Sequence, residues 1–193
     1  MNNTNGKGYM KFAGLTFILP FLLIIISWIS PARNMYSDDP YVCIPCGSDC
    51  DKETFSKPGE CMHCHMPLVR KSTITFKNIS PASVCDVMTK KPGTVLLDVR
   101  SPEEFNGTAQ DNFGRLKGAI NVPVQDLESR LDELSKYKDK DIIVYCSHSH
   151  RSPRASYILT QHGFNHVTNM EGGMSVWNDY VKDAGCTKKL VIK

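Results

Sequence analysis

From Ile74 onward, apolar runs of strand length alternate with amphipathic helical stretches, and few folds accept that pattern. The two clearest runs, TVLLDV at 94–99 and DIIVY at 141–145, are apolar on both faces, as strands covered on both sides of a sheet must be. Parallel strands need crossovers, which the intervening helical stretches can supply, so the expected class is α/β with a central parallel sheet. Three helix starts pair a capping serine with a proline suited to the first helical position: Ser80-Pro81, Ser101-Pro102 and Ser152-Pro153. Glu104 completes a capping box with Ser101. Val124, Leu127, Leu131 and Leu134 share one helical face, and so do Met174, Trp177 and Val181, whose helix is predicted to stop before Gly185.

The strand ending at Tyr145 runs straight into Cys146, Ser147, His148, Ser149, His150 and Arg151. In open parallel sheets, ligands sit beyond the carboxyl ends of the strands, where Cys146 stands. A short loop leading into a helix can turn backbone N–H groups toward an anion at the cysteine sulfur, and the helix dipole favours the thiolate. Arg151 can anchor the loop carbonyls or meet an anionic substrate. A lone cysteine would be read as buried packing. The strand, polar loop, arginine and helix start in register favour a nucleophile instead.

These residues resemble the rhodanese family. LLDVRSPEEF at 96–105, GAINVP at 118–123, CSHSHRS at 146–152 and EGGM at 171–174 with Trp177 are similar to its signatures, in the family's order, across about residues 74–184. The resemblance implies a rhodanese-like sheet flanked by helices and a persulfide on Cys146. It also implies ion-pair support from Asp98 and Arg100. Catalysis would fall to Cys146 and Arg151, with Ser147, His148, Ser149 and His150 binding a small-molecule sulfur donor, and a thiol or cyanide as acceptor. Ser149 stands where many members have glycine. Related phosphatases and arsenate reductases place five residues between cysteine and arginine, whereas this chain has four, a tighter loop suited to a single sulfur atom.

Eight cysteines are many for 193 residues, and five of them fall within residues 43–64. Cys43 and Cys46, then Cys61 and Cys64, form two C-x-x-C knuckles that can close a tetrahedral shell around zinc or another heavy metal. A module this small needs such a staple. The stretch also resembles small heavy-metal-binding domains. Cys61-Met-His-Cys64-His65 reads alternatively as a haem-attachment string, and disulfides are a third reading. Cys50, His63 and His65 are spare ligands that point to copper as an alternative metal. Cys85 lies on an apolar face with Val84 and Met88, which assigns it to core packing. A Cys85–Cys186 disulfide is permitted, but spacing says nothing about distance.

Residues 12–29 carry no charge, and Lys7 and Lys11 precede them. A run apolar on every face suits lipid, and the positive-inside rule places the rest of the chain outside the cytoplasm, the bacterial periplasm in a bacterial cell. Ser30-Pro31-Ala32 keeps a cleaved leader open beside a retained membrane anchor. The expected organisation is an anchor at 1–32, a linker at 33–42, the cysteine module at 43–70, the α/β domain at 74–185 and a tail at 186–193. A net charge of +3, from 23 basic and 20 acidic residues in mixed order, gives no field for a nucleic acid, so that partner class is excluded. Two function classes remain: a membrane-tethered sulfurtransferase, and a non-enzymatic module that binds or senses sulfur or metal.

Overall fold

The computed structural model describes residues 39–182 and 184–193. The apolar run at 12–29 lies outside the described residues; among those, no helix is long and apolar enough to cross a membrane. Residues 37–193 form one compact unit.

Nine strands and six α-helices are described. The strands are β1 (Tyr41–Val42), β2 (Val69–Arg70), β3 (Lys77–Ile79), β4 (Val95–Asp98), β5 (Arg115–Leu116), β6 (Ile120–Asn121), β7 (Ile142–Tyr145), β8 (Val167–Met170) and β9 (Val191–Ile192). The helices are α1 (Pro81–Lys90), α2 (Pro102–Asn106), α3 (Leu131–Leu134), α4 (Arg151–Gln161), α5 (Trp177–Tyr180) and α6 (Ala184–Leu190). A five-stranded sheet in the order β3-β8-β7-β4-β6 is parallel throughout. Strand β7, which feeds the cysteine loop, is its middle strand.

Side-chain alternation divides the core in two. Leu97, Val99, Ile142 and Val144 point to one face, against Ala155, Ile158 and Leu159 of α4 and the cysteine module. Leu96, Ile143 and Tyr145 point to the other, against Val84 of α1 and the Met174, Trp177 and Val181 stripe. The apolar sequence of β4 and β7 follows from this double burial.

Several expectations need correction. The stretch 33–42 does not end as a linker: β1 pairs with β2, and Asp39 accepts hydrogen bonds from Ser72 and Arg70. Residues 39–42 therefore belong to the cysteine module. The amphipathic face around Leu127 is not one helix but α3 between two 3-10 turns, Glu128–Arg130 and Ser135–Tyr137. The tail is also structured. Residues 186–190 continue α6, and β9 pairs antiparallel with β5. The helix of Trp177 does stop before Gly185, at Tyr180, and Gly185 is the second residue of the next helix. Burial of Cys186 in the Trp177 core offsets the cost of a helical glycine, about 1 kcal/mol.

Cys85 and Cys186 form a disulfide, with Cα atoms 6.0 Å apart. Core packing was therefore an incomplete reading of Cys85: it ties α1 to α6 across 101 residues of chain. Constraint of so long a loop is worth about 2–5 kcal/mol. A chain carrying Cys85→Ala and Cys186→Ala together should lose that amount of unfolding free energy, read as a lower urea midpoint; an unchanged midpoint would remove the structural role.

Candidate functional site

The loop after β7 is fixed from below. Cys146 and Ser147 present their carbonyl oxygens to the N–H groups of Met174 and Ser175, at 2.9 and 3.0 Å. Gly173 (φ +67) makes the approach possible, since a Cβ there would lie 2.4–2.5 Å from both carbonyl oxygens. In a trans peptide the N–H opposes the C=O, so the N–H groups of Ser147 and His148 point away from Gly173. Among the described residues, no protein acceptor takes the N–H of Ser147, His148, Ser149, His150 or Arg151.

Cys146 itself is 1% exposed, and its Sγ lies 3.4 Å from Ser152 Oγ. This changes the reading of Ser152. Helix α4 begins at Arg151 with His150 as its cap, so Ser152 is not the capping residue that its proline neighbour suggested. Its fully buried hydroxyl faces the sulfur instead. Ser149 adopts φ +61, the left-handed region that glycine favours, at a cost of about 1–2 kcal/mol. Its hydroxyl is buried with no hydrogen-bonding partner. His148 and His150 are exposed, and the His148 ring packs edge-on against Phe113 at 5.3 Å.

Arg151 does not bond the loop carbonyls. Its guanidinium grips Glu104 with two bonds, Nη1 to Oε2 at 2.5 Å and Nη2 to Oε1 at 2.7 Å. Ser147 Oγ donates to the same Oε1 at 2.8 Å, and Oε2 accepts the Ser101 N–H at 3.0 Å. One carboxylate thus ties both ends of the loop to the start of α2. The capping box that singled out Glu104 gave no sign of this second task. The Arg151 hydrogen bonds, working against burial, hold the Glu104 carboxyl at about 2.

Behind the loop, Asp98 and Arg100 form a fully buried ion pair, with Nη2–Oδ2 at 2.7 Å, and Arg100 Nη2 also donates to the Gly114 carbonyl. Asn121 Nδ2 donates to the carbonyls of Asp98 and Arg100. Burial pushes the Tyr145 phenol well up and keeps it neutral. These groups hold the strand ends and touch no part of the loop's open side.

A region covering half of the chain, residues 82–180, matches the Rhodanese-like domain. The chain belongs to the rhodanese-like family. Relatives include the uncharacterized protein YqhL of Bacillus subtilis, 37% identical over 45% of this chain and 63% of that protein. A sulfurtransferase of Allochromatium vinosum is 34% identical over 43% of this chain and 70% of the relative. A tRNA uridine(34) hydroxylase of Pectobacterium atrosepticum is 30% identical over 56% of this chain but only 30% of its own length. The chain thus spans less than two thirds of YqhL and of the hydroxylase.

The second cluster flanks the rhodanese-like domain. The sulfurs of Cys43, Cys50, Cys61 and Cys64 all lie within 4.8 Å of one another, so they could hold a metal ion. Cys50 stands where sequence spacing placed Cys46, which instead groups with Cys50 and Asp51. A tetrahedral zinc with Zn–S near 2.3 Å needs sulfurs about 3.8 Å apart. The Cys50–Cys43 separation is 3.9 Å and the Cys43–Cys64 separation 3.0 Å. Burial pushes the Cys50 thiol up to about 12 and Cys43 higher still. Cys61 is brought down to about 7 by the backbone N–H groups of Cys64 and His63, against its burial. His63 and His65 lie outside the shell, exposed and facing Glu53 and Glu60 at 3.4 and 3.1 Å.

Two substitutions test the loop's supports. Gly173→Ala must displace the Cys146 and Ser147 carbonyls and is expected to cost at least about 2 kcal/mol, along with most of the activity. The Glu104 carboxyl titrates below its ordinary 4.5, so its stabilisation is fully present above that pH and fades as pH falls toward about 2. Glu104→Gln should therefore lose about 2 kcal/mol at neutral pH and flatten acid unfolding between those limits. An acid limb identical to that of the parent protein would show that Glu104 does not brace the native loop.

Proposed function

We propose that this chain is a sulfurtransferase that carries a sulfane sulfur as a persulfide on Cys146. The carrying observation is the position of the Cys146 sulfur, at the end of the middle strand, facing the Ser152 hydroxyl, in a loop whose N–H groups have no protein acceptor. Membership of the rhodanese-like family and the sulfurtransferase among its relatives support sulfur transfer in general.

In the first half-reaction the Cys146 thiolate attacks the outer sulfur of a donor such as thiosulfate. The S–S bond of the donor breaks, sulfite leaves with the bonding pair, and a Cys146 S–S⁻ remains. In the second, an acceptor thiolate or cyanide attacks the outer sulfur and the Cys146 thiolate is expelled. The anion is present in every state, so the loop N–H groups, the α4 dipole and the Ser149 and Ser152 hydroxyls serve both halves. His148 and His150, exposed side chains of the loop, would meet the substrate first. Arg151 acts through Glu104 as a positioning residue.

In this reading the four-thiol shell of Cys43, Cys50, Cys61 and Cys64 takes zinc, which would supply a structural cross-link and no step of sulfur transfer. An extracytoplasmic location, with residues 12–29 as the membrane segment, is part of the same proposal. The Cys85–Cys186 disulfide supports it, because such bonds persist in oxidising compartments.

Cys146→Ser should abolish thiocyanate formation from thiosulfate and cyanide, and also the mass increment of one sulfur after donor loading, while leaving folding intact. A retained sulfur would assign the nucleophile elsewhere. Arg151→Ala should lower turnover by about tenfold to a hundredfold. Adding Glu104→Gln to Arg151→Ala should lower it little further, since partners in one clamp are not additive. Independent, multiplying losses would separate the two residues.

A further inference from the structure

Five cysteines converge in the module, and a tetrahedral shell accounts for only four of them. The fifth, Cys46, is 5% exposed, and its Sγ lies 3.7 Å from Asp51 Oδ1. A thiol serving as apolar filling would not sit against a carboxylate. Asp51 is fixed there by the Cys46 and Gly47 N–H groups, at 3.0 and 2.7 Å to Oδ2. The ligand atoms of Cys46, Cys50 and Asp51 lie within 4.8 Å of one another, and Cys50 also belongs to the four-sulfur shell.

We propose that the module holds a second divalent ion of the zinc class, bound by Cys46, Asp51 and a Cys50 thiolate that bridges it to the inner ion. This rests on the metal reading of the inner shell. The two sites differ in ligand number, four sulfurs at the inner one and two sulfurs with a carboxylate at the outer. Cys43, Cys50 and Cys61 are at most 2% exposed and Cys64 is half-buried. A cleft of about 420 Å³ is lined by Asp51 of the outer set and Cys43 of the inner one. Three protein ligands leave a fourth position for a water or an incoming ligand, as zinc sites with exchangeable positions require. A carboxylate in the set favours borderline zinc over soft copper(I). Each thiol that ligates releases a proton to solvent, and no oxidant or reductant is involved. The inner ion is thus a permanent staple, and the outer ion is cargo or a sensed species.

The test uses the full chain, reduced only enough to keep the module thiols free, stripped of metal and titrated with Zn²⁺. Two equivalents per chain should remain after desalting, and a mild chelator should remove one of them. Cys46→Ser and Asp51→Asn should each reduce the stoichiometry to one, the chelator-resistant ion, while thiosulfate-dependent turnover persists. Cadmium NMR of the doubly loaded protein should show two inequivalent resonances coupled through the shared sulfur. One equivalent in the parent chain, unchanged by either substitution, overturns the second site and leaves the inner shell standing. One equivalent that Cys46→Ser abolishes would place Cys46 in the inner shell and also overturn the proposal. No tightly held zinc at all would overturn the metal reading itself.

Discussion

The site depends on the orientation of two peptide groups. Because the Cys146 and Ser147 carbonyls are fastened to the N–H groups of Met174 and Ser175, their partner N–H groups face the other way. Nothing larger than hydrogen fits at residue 173 between these segments. The glycine of the closing motif and the cysteine of the loop, far apart in sequence, therefore define a single local geometry. The sheet supplies the rest: β7 is flanked by β4 and β8, so the strand end that carries Cys146 is held on both sides.

Charge at the site is arranged with comparable economy. Arg151 carries the charge of an anion receptor, but its guanidinium is occupied by Glu104, and the pair adds little net field. What the loop offers is a set of neutral dipoles: N–H groups with no protein acceptor among the described residues, the Ser152 hydroxyl beside the sulfur and the unpartnered Ser149 hydroxyl. In the proposed sulfur transfer, fixed neutral donors would stabilise an anion without a countercharge that would hold a leaving group such as sulfite. They also suit a cycle in which the anion moves from one sulfur to the next and never disappears. The buried Asp98–Arg100 pair follows the same logic at the strand ends, compensated internally and kept away from the loop.

Much of this was legible in the sequence where the governing physics is local. Double-sided apolar runs announced the parallel sheet, and a cysteine between a strand and a helix start announced the loop. What escaped was pairing across the chain. Glu104 reaches Arg151 over 47 positions and Cys85 reaches Cys186 over 101, and neither spacing carries a periodicity. Ser152 was misread because the helix starts two residues earlier than its proline suggested, and that shift turns a cap into a partner of the sulfur. The C-x-x-C pattern was a partial guide. It identified Cys43, Cys61 and Cys64, but the 3-10 turn Asp49–Lys52 carries Cys50 inward to the place that spacing gave to Cys46.

The two clusters share one core, and this links their energetics. Cys43, Cys50 and Cys61 belong to the same buried cluster as Cys146 and the inward face of α4. Thr73, just beyond β2, bonds the Tyr157 hydroxyl at 3.1 Å and accepts from Gln161 Nε2 at 3.0 Å, so the module is fastened to the C-terminal half of the helix whose first turn faces the nucleophile. The module alone is too small to bury the surface that ordering it demands. The ion proposed for its thiol shell would therefore contribute folding energy to the unit as a whole, because ion binding to the native state raises its stability by mass action. Loss of that ion would be felt first where the module meets α4, at Thr73 and Tyr157. The Gly173 fastening of the loop lies on independent supports, so loop geometry and metal occupancy can vary separately within one compact chain.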